Sequence, residues 1–248
     1  QTENVKTAIE FTIEENVPLS VAESVFDYTV ISPREKADSN RLRVSVAVLP
    51  EEVVAEYLEV FRAAGYEPTH FEIESQAIAK AVVPRHSTQV SIILNLSCNK
   101  VGLYVCEGRA VAFTSTIPVS PFPMDAKTQT PPASSQENSQ TPPACLPPSP
   151  QTLKEIDEEL KKIFLYWQTQ ADRRNEKAQP IEKIILVGEE ANRPGLLEFV
   201  SENSHVPVEL GQVWQNAFSL DGYIPEIPKD ESLKYAAAIG LALTERSK

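Results

Sequence analysis

Although 42% of its 248 residues are hydrophobic, no run of this chain approaches the ~20 consecutive apolar residues needed to span a bilayer. The apolar residues fall instead into short periodic segments, and at this length roughly three quarters of the unfolded surface could be buried. The stretch Gln1 to Phe11 has neither the basic start nor the apolar core of a secretory signal. The mature protein is therefore expected to be cytoplasmic and to enter no membrane. Cysteine is scarce: Cys98, Cys106 and Cys145 are too few and too irregularly spaced for a disulfide framework or a zinc site. Cys98 and Cys106 read as buried thiols beside strands. His70, His86 and His205 lie on unrelated segments and receive no metal or acid/base role. Positive charge is short as well, with 23 basic against 35 acidic residues and a formal net charge of −12. That balance repels phosphate backbones and anionic lipid, and excludes nucleic acid as a partner.

What is present reads as an α/β chain. Ala8, Ile9 and Ile13 recur at helical spacing within Val5 to Glu15, until Pro18 ends the pattern. Val25 to Ile31 favours a strand, and Leu42, Val44, Val46 and Val48 alternate with polar or small residues in a second. Pro50, Glu51 and Glu52 open a helix in which Val54, Tyr57, Leu58 and Phe61 are expected to share a face packed on the sheet; Gly65 closes it. Phe71 and Ile73 alternate with Glu72 and Glu74 in an expected third strand whose acids form a solvated face. Ser75 is placed to cap a helix from Gln76 to Ala81.

Val90 to Asn95, Val101 to Cys106 and Ala110 to Ile117 follow as a three-stranded meander. Ten of the 20 prolines then fall between Pro118 and Pro150, with few apolar residues large enough to bury, which predicts a disordered insert serving as an extended spacer. The stripe Leu153, Ile156, Leu160, Ile163, Phe164 and Trp167 marks a long helix covering the sheet. Ile181 to Val187 is a buried strand, a helix follows Asn192 and Pro194, and Val206 to Leu210 is a last short strand. Ser232 is placed to cap a small-residue helix from Leu233 to Thr244.

Five stretches in order resemble the PilM branch of the actin-like ATPase family. They are "AIEFTIEENVPLSVAESVFDYTVI", "VSVAVLPEEVVAEYLEVFRAAGYEPTHFEIESQAIAKA", "VAFTSTIPV", "IEKIILVGEEANRPGLLEFV" and "LKYAAAIGLAL". The resemblance implies an actin-like (ribonuclease H-like), two-lobed α/β fold related to FtsA, with its first lobe incomplete and a small βαβ, SHS2-like subdomain. On that reading residues 1–20 are a remnant of the first lobe and 21–74 the small subdomain. Residues 75–89 link it to the meander at 90–118, the insert occupies 119–151, and 152–248 complete the second lobe.

The family holds ATP and magnesium between two glycine-rich hairpins and beside a further glycine-rich turn, because backbone amides must reach the phosphates. The resemblance places the first hairpin upstream of Gln1. The second begins with an acidic residue, a hydrophobic one and glycine, where this chain has Asn95, Leu96 and Ser97, followed by Cys98 and Asn99. An amide thus stands where a carboxylate would orient the hydrated metal. The adenosine turn has only Gly188, followed by Glu189 and Glu190. A carboxylate ~4 Å from a phosphate costs on the order of 4 kcal/mol at an effective dielectric of ~20. Asn95, Ser97, Asn99, Gly188, Glu189 and Glu190 are therefore vestigial nucleotide positions. No cofactor and no catalytic residue is expected.

The resemblance also implies a partner, the short tail of PilN, an inner-membrane protein of type IV pilus assembly, and leaves room for other pilus assembly proteins. The small subdomain's sheet is too short to bury both faces, so an edge or groove should stay open to an extended tail. Val25, Asp27, Tyr28, Tyr57 and Phe61 are the candidate partner-binding residues. The expected function is a non-catalytic cytoplasmic scaffold, held peripherally at the inner membrane through its partners. The alternative is a residual ATP-binding protein whose first phosphate loop lies upstream of this chain.

Overall fold

A computed structural model describes residues 2–31, 43–119, 149–173, 179–219 and 222–243. The predicted disordered insert falls, from 120 to 148, outside the described residues. The chain divides into two compact units, Gln1–Ile73 and Glu74–Lys248. Among the described residues no helix is long and apolar enough to cross a membrane.

In the first unit, α1 (Thr2–Asn16) buries Ile9 and Ile13, one helical turn apart. β1 (Ser24–Ile31) and β2 (Arg43–Pro50) pair antiparallel, with Phe26 opposite Val48 and Tyr28 opposite Val46. Opposite residues share a face, so Phe26, Tyr28, Val46 and Val48 lie on one side and Val25, Asp27, Ala47 and Leu49 on the other. The Lys6 ammonium stands 5.9 Å over the Phe26 ring, which brings α1 to the first of these faces. α2 (Glu51–Ala63) follows β2 directly, with Glu51 and Glu52 in the first turn, where the helix dipole favours them. It ends in a Schellman motif: Gly65 takes φ +82°, Tyr66 N–H donates to the Phe61 carbonyl at 2.9 Å, and Gly65 N–H to that of Arg62 at 3.0 Å.

Two sequence expectations fail in this unit. Only Val54 and Leu58 of the α2 face are half-buried, while Tyr57 and Phe61 are exposed. The helix packs over two strands, which is too narrow a surface to cover a wider stripe. Residues 70–73 form no strand, so the unit is ββα and not βαβ. Alternating apolar residues specify a face but not a pairing edge, and here the chain runs into the next helix without one.

That helix, α3 (Glu74–Val82), opens the second unit. Ser75 is buried inside it and does not cap it. β3 (Val90–Leu96), β4 (Lys100–Glu107) and β5 (Ala110–Pro118) form the expected meander; α4 (Pro150–Arg173) then crosses over to β6 (Ile181–Val187), and α5 (Leu196–Asn203) to β7 (Val208–Leu210). The sheet order is β5-β4-β3-β6-β7, antiparallel on the meander side and parallel from β3 through β7. Every residue of β3 is buried, as a strand covered on both faces requires.

One cover is α4, whose Ile156, Leu160 and Ile163 are buried. It meets β5 through the Phe113–Tyr166 ring pair at 5.0 Å and through Ser115, which donates to Glu159 at 2.7 Å. Trp167 is half-buried and donates to the Gln179 carbonyl at 2.9 Å. The opposite face is covered by α3, because Tyr104, paired with Thr114 between Phe113 and Ser115, reaches Glu74 of α3. α6 (Lys229–Ser232) and α7 (Ala236–Ala242) are the last α-helices among the described residues. Ser232 ends α6 and donates to the Lys229 carbonyl instead of capping a following helix. Cys106 is a fully buried thiol pushed up to about 12 by burial, whereas Cys98 is half-buried and disulfide-bonded, against the expectation of a plain thiol.

α3 and α7 pack without clearance. A Cβ built on Gly240 would stand 1.6 Å from the Ala77 carbonyl oxygen. Gly240→Ala must therefore push the helices apart, and should cost at least about 2 kcal/mol in urea unfolding at unchanged slope. A loss under about 0.5 kcal/mol, the range of ordinary surface substitutions, would contradict this packing.

Candidate functional site

From β3 the chain proceeds to one edge of the sheet through β4 and β5, and from β6 to the other through β7. The order reverses between two parallel neighbours, and the crevice beyond their carboxyl ends is where open α/β sheets take ligands. Asn95, near the end of β3, pairs in register with Val187, and Gly188 follows at the end of β6. Gly188 has φ +100°, and a Cβ there would lie 2.4 Å from the Leu96 carbonyl oxygen and 2.8 Å from Asn95 Oδ1. Both the conformation and the space require glycine.

The turn after Gly188 is pinned to its neighbours. Gly188 N–H donates to the Leu233 carbonyl at 3.1 Å, and Glu190 N–H to that of Leu96 at 3.0 Å. The Glu190 carboxylate turns inward, is buried, and is held by the Arg193 guanidinium. Glu189 is exposed, with Oε2 2.7 Å from Cys98 Sγ. Across the crevice, Ser97 N–H donates to the Lys100 carbonyl at 3.0 Å, and the carbonyl of exposed Asn99 accepts from Val119 N–H at 2.9 Å. The six positions that the resemblance singles out, Asn95, Ser97, Asn99, Gly188, Glu189 and Glu190, thus gather at one end of the sheet.

The centre of the crevice is occupied by groups that sequence reasoning missed. Glu74, at the start of α3, takes the Lys100 ammonium on Oε2 at 2.6 Å, the Tyr104 hydroxyl on the same oxygen at 3.3 Å and Asn95 Nδ2 on Oε1 at 3.4 Å. It is not part of a solvated strand face with Glu72. Glu74 and Lys100 are about two-fifths exposed (37% and 40%), so the ion pair itself contributes at most about 1 kcal/mol. Asn95 and Tyr104, in contrast, are buried. Gly102 makes room for the phenol, since a Cβ there would lie 2.2 Å from the Tyr104 oxygen. Lys100 closes the run that carries the hairpin positions, and Glu74 begins α3, the helix that precedes that run. Only a pattern linking the two, 26 residues apart, could have found the pair. Arg193 lies three residues after Glu190, a spacing that does signal a helical or turn-borne ion pair.

The remaining candidates lie in the first unit. Val25 and Asp27 project from one face of β1 and Tyr28 from the other, half-buried, face. Asp27 Oδ1 accepts from Tyr28 N–H at 2.8 Å. Tyr57 and Phe61 stand exposed on α2. The three histidines are exposed on separate segments, and among the described residues no three metal-ligating side chains cluster.

No family model matches the chain, and no curated protein matches it in sequence. Among solved structures, a chain of the PilM-PilN type IV pilus biogenesis complex is 18% identical, with 98% of this chain and 72% of that chain covered and a TM-score of 0.70. This likeness shows the fold, and the class is α/β and actin-like, as the sequence resemblance implied. A protein of actin-like ATPase fold and unknown function from Bacteroides thetaiotaomicron VPI-5482 is 9% identical over 81% of this chain and 58% of its own, at TM-score 0.37. The ethanolamine utilization protein EutJ from Carboxydothermus hydrogenoformans is 12% identical over 82% and 80%, at TM-score 0.33. At those scores neither adds to the argument.

Tyr104 gives the site a titration signature. Burial pushes its phenol from 10.0 up to about 12, opposed by a hydrogen bond with Asn95 and reinforced by the charge of Glu74. A folded-state value raised above the unfolded one means a share of stability that is complete below pH 10 and is lost as the pH climbs through about 12. A rise of that order corresponds to about 3 kcal/mol. The fall in stability between pH 10 and 12 should be larger in the unaltered chain than in Tyr104→Phe by that order. Parallel pH profiles for the two proteins would contradict the assignment.

Proposed function

We propose that this chain is a non-catalytic scaffold of type IV pilus assembly, working on the cytoplasmic side of the inner membrane and taking the tail of a PilN-like membrane protein. The observation that carries the reading is the likeness in fold, at TM-score 0.70 over 98% of the chain, to a component of a PilM-PilN complex. The five-segment sequence resemblance points the same way.

The non-catalytic part of the reading is supported by a poor fit between the crevice and a nucleotide with its metal. Magnesium seeks charged oxygen ligands, usually carboxylates and phosphates. Asn95 offers a neutral amide that is buried and already engaged, and Glu74, the nearby carboxylate, already holds the Lys100 ammonium. Glu190 adds a buried negative charge beside Gly188, compensated by Arg193. These residues do not fit ATP with a hydrated cation, so no hydrolytic step is assigned to them.

For the tail, β1 pairs only with β2 among the described residues, which leaves its other edge able to accept an extended segment by main-chain hydrogen bonds. Val25, Asp27 and Tyr28 are the side chains at that strand. A peptide carrying the tail of a PilN-like protein, titrated into the chain, should slow hydrogen exchange in β1 at residues 24–31. Saturable binding with protection confined to α4 would place the partner elsewhere and overturn this reading.

A further inference from the structure

α2 carries an apolar stripe that its own unit does not use. Successive residues of an α-helix are 100° apart, so Val53, Tyr57 and Val60 fall within about 60° of one another. They are 41%, 56% and 66% exposed. Phe61 borders them at 42%, and the Schellman turn beyond it ends on Tyr66 at 69%. The packing of α2 is served by a different stripe, that of Val54 and Leu58, about 100° away. Along the other border of the exposed stripe run Glu52, Glu56 and Glu59, and Arg62 is the one cation of the helix.

These features restrict the occupant. The backbone hydrogen bonds of α2 are spent inside the helix, so this face cannot lengthen a sheet and must be read through side chains, as helix packs on helix. A second copy of the chain is disfavoured, since facing stripes would set Glu52, Glu56 and Glu59 of each copy against those of the other, on chains already at −12. We propose that α2 is a docking face for an amphipathic, basic helix of a partner protein. Its apolar residues at i, i+4 and i+7 would cover Val53, Tyr57 and Val60, and its Lys or Arg residues would pair with Glu52, Glu56 and Glu59. This surface goes beyond the strand edge of β1 and calls for a partner of different conformation and charge.

The test uses the full chain and a labelled helical peptide of leucine and lysine, leucines at heptad a and d positions, with its glutamate-for-lysine counterpart as control. Fluorescence anisotropy should show binding of the lysine peptide and not of the glutamate one. Tyr57→Ser combined with Val60→Ser, both at exposed positions, should weaken it by about tenfold or more. Glu56→Lys with Glu59→Lys should exchange the preference between the two peptides. Ile224→Ser, at a residue 84% exposed in the second unit, should change nothing. Unaltered affinity in the double serine variant overturns the proposal, as does self-association of the unaltered chain that Val60→Ser abolishes. The PilN-like tail titrated into the double serine variant keeps this inference separate from the scaffold reading. Unchanged tail binding supports two surfaces, whereas its loss makes α2 part of the tail site and overturns the separate one.

Discussion

The parallel pairing of β3 with β6 is the constraint on which the second unit is built. Two parallel neighbours cannot be joined by a tight turn, so the chain between β5 and β6 must cross over the sheet, and α4 is the described part of that crossing. Parallel strands must also be covered on both faces, which α4 does on one side and α3 on the other. The same pairing brings the carboxyl ends of β3 and β6 side by side and so sets Asn95 against Gly188. The position of the crevice follows from topology before any of its side chains is considered.

What fills the crevice follows from local chemistry. A buried amide and a buried phenol need partners, because an unpaired polar group in the interior costs roughly 1 to 3 kcal/mol. Glu74 satisfies both and is in turn neutralised by Lys100. The arrangement is closed on itself, with the cation supplied by the protein's own lysine. At the neighbouring turn Arg193 does the same for Glu190. Glu74 and Glu190 are each matched by a cation of the protein itself, which leaves little positive charge to meet a phosphate.

Much of this was legible in the sequence wherever a pattern was local. The meander, the long helix with Ile156, Leu160 and Ile163 inward, and the buried strand at Ile181 to Val187 all declare themselves through periodicity. Gly188 and its two glutamates stand out only through the family resemblance, which places an adenosine turn after this strand. The misses share a cause, in that they depend on contacts distant in sequence. Phe71 and Ile73 alternate like a strand but have no edge to join, and Tyr57 looks inward on a helical wheel although the two-stranded sheet beneath α2 is too narrow to cover it. Ser75 and Ser232 have the chemistry of caps, yet each sits within a helix. The sequence reading of Glu74 rests on its neighbours along the chain, whereas its role at the start of α3 is set by Lys100 and Tyr104 on β4.

The residues at the strand ends pair their charges with one another, and the proposal that the crevice is not a nucleotide site rests on that pairing. Calorimetric titration of ATP with magnesium into the full chain addresses it most directly. No measurable binding heat and no phosphate release are expected. Saturable binding at micromolar affinity, about −8 kcal/mol, lost on Gly188→Val, would contradict the proposal.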